Sequence, residues 1–187
     1  VEFGALYHLQ LQMKLGNRLD TFAQLVDRLG YIADSRYSTQ VAVVADCEAA
    51  MHMLAGNLPG AYRSCERFLE VIEAAEEPPI ERWPHFLTMF QVLLADHRAG
   101  DAAAYLEDLL ALFDGAVRER TQLCIDAAYA LDAKWQKRDD YSDRLRHLFE
   151  RLRRADWLVV LPNLPHHLGA LCGDATARDL ETDYALN

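Results

Sequence analysis

The stretch Leu94-Ala95-Asp96-His97-Arg98-Ala99-Gly100-Asp101 ends one apolar helical pattern and begins another. Comparable breaks recur about every 40 residues, at Gly16-Asn17, Gly56-Asn57, Gly100-Asp101 and Arg138-Asp139. Two helices joined by a tight turn cannot bury their apolar faces alone, so neighbouring pairs have to stack. The spacing therefore predicts an all-α chain built from repeated helix pairs.

Apolar residues at helical spacing place one helix on each side of every break. The first predicted pair covers residues 2–15 and 19–31. In the second pair one helix ends at residue 55 and the next continues through 72. The third pair covers residues 83–97 and 103–113, and the fourth covers 117–136 and 141–152. Pro59 fits a first helical turn, whereas Pro78-Pro79 ends the second pair. We predict a right-handed α-solenoid of about four tetratricopeptide-like pairs over residues 1–154 and a C-terminal helical cap over residues 155–187.

Tetratricopeptide repeats place a small residue five positions after the break, where two helices approach closely. Five residues after Gly56 comes Ala61, which fits this pattern, and five after Gly100 comes Tyr105, which does not. The repeat is also longer than the usual tetratricopeptide unit. The sequence therefore indicates a divergent relative of that repeat.

The composition limits the classes of partner that the chain is expected to bind. The chain has 187 residues, of which 51% are hydrophobic, and its formal net charge is −10. An acidic chain is poorly suited to neutralising phosphates, so we expect no direct nucleic-acid contact and no anionic membrane partner. No long apolar run and no signal peptide occur, and the chain starts and stops inside helical patterns. We expect a cytoplasmic segment of a longer protein.

Metal and cofactor sites are not expected. The four cysteines form no C-x-x-C pair, which is typical of buried reduced thiols. Cys47 and His52 stand five residues apart and point to different helix faces, and adjacent His166-His167 diverge by about 100°. We therefore predict no metal site and no cofactor.

Catalytic patterns are also missing. The carboxylate pairs Glu76-Glu77 and Asp139-Asp140 lie in predicted turns, and no G-x-S-x-G or phosphate-binding G-x-x-x-x-G-K-[ST] motif occurs. We predict that the chain is not an enzyme. The run of arginines between Arg144 and Arg154 is either a solvated helix face or a surface for an acidic partner.

The first helix of each pair in such a solenoid lines its concave face. Counting back from the breaks, polar, methionine and aromatic side chains share this face, which is typical of a groove for a peptide or small ligand. The alternative is that several of them pack between repeats. The predicted binding residues are Gln10, Met13, Lys14, Asp46, Met53, Phe90, His97, Arg98, Asp132 and Trp135.

The tail resembles a known family. The segments His167-Leu168-Gly169-Ala170-Leu171-Cys172 and Leu180-Glu181-Thr182-Asp183-Tyr184 are similar to the end of the helical-repeat region in large bacterial ATPase-linked transcription regulators. These are the maltose-regulon activator class and its relatives fused to a bacterial transcriptional activation domain. Leu180 stands where the family has isoleucine, and the glycine expected before it is absent.

The resemblance implies a non-catalytic regulatory module, a sensor and oligomerisation segment between a nucleotide-binding motor and an output domain. In that family the repeats receive a small-molecule inducer or a partner protein and relay occupancy to self-association. The alternative is a protein–protein assembly scaffold of an unrelated complex. The nature of the inducer or partner is left open by the sequence.

Overall fold

The computed structural model describes residues 19–32, 38–75, 78–155 and 165–180, and those residues contain helices and turns but no strand. The helices are α1 (Leu19–Ile32), α2 (Ser38–Leu54), α3 (Leu58–Ala74), α4 (Pro79–Ala95), α5 (Ala99–Leu109), α6 (Gly115–Trp135), α7 (Tyr141–Ala155) and α8 (Pro165–Ala177), with a 3₁₀ turn over Leu110–Leu112. The predicted all-α class is confirmed.

The chain divides into two compact units, one that ends at Asp96 and one that begins at His97. The two helices of the predicted third pair, α4 and α5, therefore belong to different units. Helix α8, which lies in the predicted cap, belongs to the second unit. The predicted division of the chain at residue 154 stays a prediction.

The first unit is built around α2, which packs against α1, α3 and α4. Its apolar cluster includes Val26 and Leu29 of α1 and Val43, Val44 and Cys47 of α2, all at most 8% exposed. Helices α3 and α4 also pack against each other. Three helices thus meet around the middle of α2, and polar side chains at that junction have little access to water.

The second unit is centred on α6, which packs against α5 and α7. The buried residues of α7 recur every three or four positions, so this helix presents a single apolar stripe to α6. They are Tyr141, Leu145, Leu148, Phe149 and Leu152. Helix α8 packs on α7 and contributes the buried side chains Leu171 and Ala175.

Two of the predicted turns are confirmed. Helix α2 ends just before Gly56-Asn57, and the Asn57 side chain accepts a hydrogen bond from the Gly60 N–H group at 3.1 Å to start α3. The break at Arg138-Asp139 lies between α6 and α7. The predicted turn at Gly100-Asp101 is wrong, because the turn covers residues 96–98 and both residues lie in the first turn of α5.

A left-handed residue marks four helix ends at a regular spacing. Gly56, His97, Lys137 and Asp179 have φ of 72°, 57°, 53° and 56°, at intervals of 41, 40 and 42 residues. Each follows the last helical residue by two positions. After three of these helices a 6→1 backbone hydrogen bond closes the end, for example from Asn57 N–H to the His52 carbonyl at 2.8 Å. The helix ends therefore recur about every 40 residues, and the break before α5 has His97, not Gly100, in the left-handed position.

Counted from these left-handed positions, the residue five places on is small after each of three helix ends. Five residues after Gly56 comes Ala61, and five after His97 comes Ala102; both are 0% exposed. Five after Lys137 comes Ser142, also a small residue. Gly100 serves close approach and not the turn, because a Cβ there would lie 3.2 Å from the Asp132 carboxylate.

Other helix boundaries shift by a few residues. Helix α4 begins at Pro79, four residues before the predicted start, because proline is favoured in a first helical turn. Helix α5 likewise starts at Ala99 and not at residue 103. The predicted helix over residues 2–15, the apolar segment at 156–164 and the acidic tail beyond 180 lie outside the described residues.

Candidate binding site

Three of the predicted binding residues that the structure describes fall in the first unit, and their exposure differs. Phe90 is 1% exposed and packs in the core, so its assignment to an accessible face is wrong. Met53 is partly buried and Asp46 is 5% exposed. Neighbouring helices cover both Phe90 and Asp46, so neither side chain is accessible to a ligand from solvent.

Asp46 forms a buried pair with a histidine. Its Oδ1 atom lies 4.0 Å from Nδ1 of His85 on α4, and the two side chains are 7% and 5% exposed. That distance is too long for a hydrogen bond, and neither atom has a hydrogen-bond partner within the described part of the chain. The Phe68 ring of α3 lies against His85, with 5.4 Å between ring centroids. This pair is part of the interior and offers no surface to a ligand.

Two predicted residues of the second unit come together. The His97 ring lies 4.9 Å from the Trp135 ring at an interplanar angle of 71°, an edge-to-face arrangement. The His167 ring of α8 packs on the same indole at 5.6 Å, also at 71°. We call these three rings the Trp135 site. Trp135 is partly buried and His97 is exposed, so the site is accessible from solvent.

Three chain segments position the Trp135 site. Trp135 is the last residue of α6, His167 is the third residue of α8, and His97 occupies the left-handed position of the turn before α5. A β-carbon in that conformation costs about 1–2 kcal/mol, so His97 is held by its surroundings in a strained backbone geometry. Strain of this kind concentrates at functional sites.

The other two predicted residues of the second unit have local partners. The Arg98 Nε atom lies 2.7 Å from Asp101, and both side chains are at least half exposed, so this pair contributes little to stability. Asp132 accepts a hydrogen bond from Arg138 at 3.1 Å. Neither contact joins these residues to the Trp135 rings. Gln10, Met13 and Lys14 lie outside the described residues.

The sequence missed His167. Adjacent histidines cannot chelate one ion, which argues against a metal site but does not bear on an aromatic contact. Pro165 at the start of α8 indicates that residue 167 is helical, but it does not indicate which ring the histidine packs against. In the described ranges no group of histidine, cysteine, aspartate and glutamate is arranged to hold a metal ion.

The arginine run on α7 is largely neutralised within its own unit. Arg144, Arg146 and Arg151 pair with carboxylates at 2.6, 2.9 and 2.7 Å. Their partners are Asp140, Asp143 and Asp126. These pairs favour the solvated-face interpretation over an acidic partner surface.

The described cysteines differ in exposure. Cys47 and Cys65 are fully buried, so a reagent in solvent has no access to them. Burial raises the pKa of the Cys124 thiol to about 12, and it also raises the pKa of the partly covered Cys172. Because the thiolate is the nucleophilic form of cysteine, Cys124 and Cys172 are not activated for nucleophilic chemistry.

Comparisons of the chain with protein-family models, with curated proteins and with solved structures give no match. Across the residues that the structure describes, no helix has both the length and the apolar character needed to cross a membrane.

Proposed function

We propose that the chain is a non-catalytic regulatory module that binds a small-molecule inducer or a partner protein through the Trp135 site. In this proposal the helix pairs form a right-handed, tetratricopeptide-like solenoid within a cytoplasmic bacterial transcription regulator. Occupancy of the site is relayed to self-association and output. The regular spacing of the left-handed helix ends supports the repeat architecture, and the tail resemblance supports the regulatory role.

One observation carries the proposal. Trp135 is a large, partly buried aromatic surface at a helix end, and histidines from two other segments pack edge-on against it. Tryptophan is among the residues that most often dominate recognition energy when it lies in a partly desolvated setting. Because the site joins the start of α5, the end of α6 and the start of α8, a ligand there contacts three elements at once.

The test uses the chain itself. We would titrate it with carbohydrates, amino acids and nucleotides and follow the thermal midpoint of unfolding. A ligand that binds only the folded state raises this midpoint. At a concentration one hundred times its Kd, it adds about 2.7 kcal/mol to the free energy of unfolding. Trp135→Ala should abolish the ligand-induced rise, whereas His147→Ala, an exposed histidine of α7, should leave it unchanged.

A ligand whose effect survives Trp135→Ala would refute the Trp135 site. If no compound in the three classes raises the midpoint of the parent chain, the inducer arm of the proposal fails. The same pair of variants then decides the partner arm in a transcriptional reporter of the regulator that contains this chain. A normal response with Trp135→Ala would leave the assembly scaffold as the better function.

A further inference from the structure

The second unit contains a surface recess of about 450 Å³ where α6 ends, α7 begins and α8 passes. Its lining includes the cations Lys134, Lys137, Arg138 and Arg178, together with the carboxylates of Asp139 and Asp174. The lining itself thus carries four cations and two carboxylates, in a chain whose net charge is −10. The first residues of α7 also line the recess, and helix N-termini carry partial positive charge.

The cations of the recess are not equally engaged. Arg138 is held by Asp140 through two hydrogen bonds, at 3.1 and 2.8 Å, and by Asp132 at 3.1 Å. Lys137 is exposed and has no ion pair among the residues described, and its φ of 53° places it in the left-handed region. A lysine in that strained position presents its charge to the recess at a conformational cost.

A carboxylate of the chain itself already lies in the recess. The Asp174 carboxylate of α8 lies 2.8 Å from Lys134 Nζ and accepts a hydrogen bond from the Tyr141 hydroxyl at 2.5 Å. Burial opposes ionisation of Asp174, but these two partners hold its pKa below the usual range. The site is therefore built to stabilise a negative charge, and Asp174 supplies it from within.

Asp174 also fastens α8. The adjoining Arg178 donates to the Ser142 hydroxyl and lies over the Tyr141 ring, 5.0 Å from its centroid. Apart from these polar contacts, α8 is held by the buried side chains Leu171 and Ala175 and by His167 on Trp135. A competitor for the cations of the recess would remove the polar part of this attachment.

We propose that the recess binds a small, multiply charged anion of the phosphate or carboxylate class, which displaces Asp174 from Lys134 and releases α8 from α6 and α7. Asp174 thus acts as an internal competitor that keeps the site closed. This inference rests on the proposed regulatory function and adds to it the chemical class of an effector and the element that moves.

Binding is tested by calorimetry on the whole chain with inorganic phosphate and with citrate, which separate the phosphate and carboxylate sources of the charge. Lys137→Ala should weaken binding of the preferred anion about tenfold, because a hydrogen bond to a charged group is worth about 1.5 kcal/mol or more. Asp174→Asn should bind the same anion more tightly, by about threefold or more, since the internal competitor is gone. Arg63→Ala, an exposed arginine of α3 in the first unit, is the matched control and should leave the Kd unchanged.

The release of α8 is read from Trp135 fluorescence. Anion binding should shift the emission to longer wavelength as His167 leaves the indole, and Trp135→Phe should abolish the shift.

The proposal is overturned if neither anion binds, if Lys137→Ala binds as tightly as the parent chain, or if Asp174→Asn binds no more tightly. An anion that binds without any fluorescence shift overturns the release of α8. A transcriptional response that depends on Trp135 but not on Lys137 would retain the proposed function and reject this inference.

Discussion

The buried Asp46–His85 pair allows a sharp test of how the first unit is stabilised. Replacing His85 with leucine should destabilise the chain by about 1–3 kcal/mol, the usual cost of leaving a buried polar side chain without its polar partner. Replacing Asp46 with leucine should cost less. Replacing both should restore most of the stability, because two buried polar groups are then removed together.

The magnitudes follow from the geometry. The Asp46 and His85 side chains are at most 7% exposed, and 4.0 Å separates Oδ1 of Asp46 from Nδ1 of His85. Without His85 the Asp46 carboxyl group stays buried and loses this polar neighbour, which is the costly case. Without Asp46 the His85 ring still lies against Phe68, with 5.4 Å between ring centroids, and this contact is the source of the asymmetry.

The assay is urea unfolding of the parent chain, of the two single variants and of the double variant, followed by circular dichroism at pH 7. Equal losses for the two single variants, or a double variant as unstable as the sum of both, would refute the reasoning.

Three further outcomes are expected. Leu106→Ala should lower the free energy of unfolding in urea by about 2–5 kcal/mol, which is more than for Leu109→Ala. Leu106 is 0% exposed, whereas Leu109, which the apolar pattern also places in the core, is only partly buried. Similar losses would show that the packing of α5 is misassigned. The pKa of Asp140 is lowered to about 2 by hydrogen bonds from two arginines, so its contribution to stability is present above pH 4 or so and is lost as the pH falls toward 2. Asp140→Asn should flatten the acid-unfolding profile in that window, and an unchanged profile would contradict this. A thiol reagent at pH 8 should modify Cys172 well before Cys124, since only the former is partly exposed; mass spectrometry of the labelled chain would reveal the opposite order.

The sequence predicted the helices well because their cause is local. The stripe of buried residues on α7 and the asparagine and proline that start α3 are read directly from residue spacing and capping chemistry. The register of the repeat was harder, since Gly100 has the composition of a turn residue and the true left-handed position is occupied by His97. Only the packing of Gly100 against Asp132 shows that this glycine serves close approach.

The binding residues were less predictable because burial is a property of the whole fold. Helical spacing gives the face on which Phe90 lies but does not say which helix covers it. The sequence predicts that His97 and Trp135 share one face but not that their rings are in contact. The third ring, His167, comes from a segment that follows the predicted repeats. Long-range contacts of this kind leave no periodic trace in the sequence.

At two of the left-handed helix ends, the residue that favours a proposed site is not the residue that favours stability. At Gly56 the chain uses the residue that adopts φ near +72° without penalty, whereas His97 and Lys137 hold the equivalent position with a β-carbon. Glycine at either position should therefore raise the thermal midpoint while it removes a ring or a charge from a proposed site. A thermostabilising design guided by backbone geometry alone would choose these two substitutions first, and the more stable protein would lack one side chain at each proposed site.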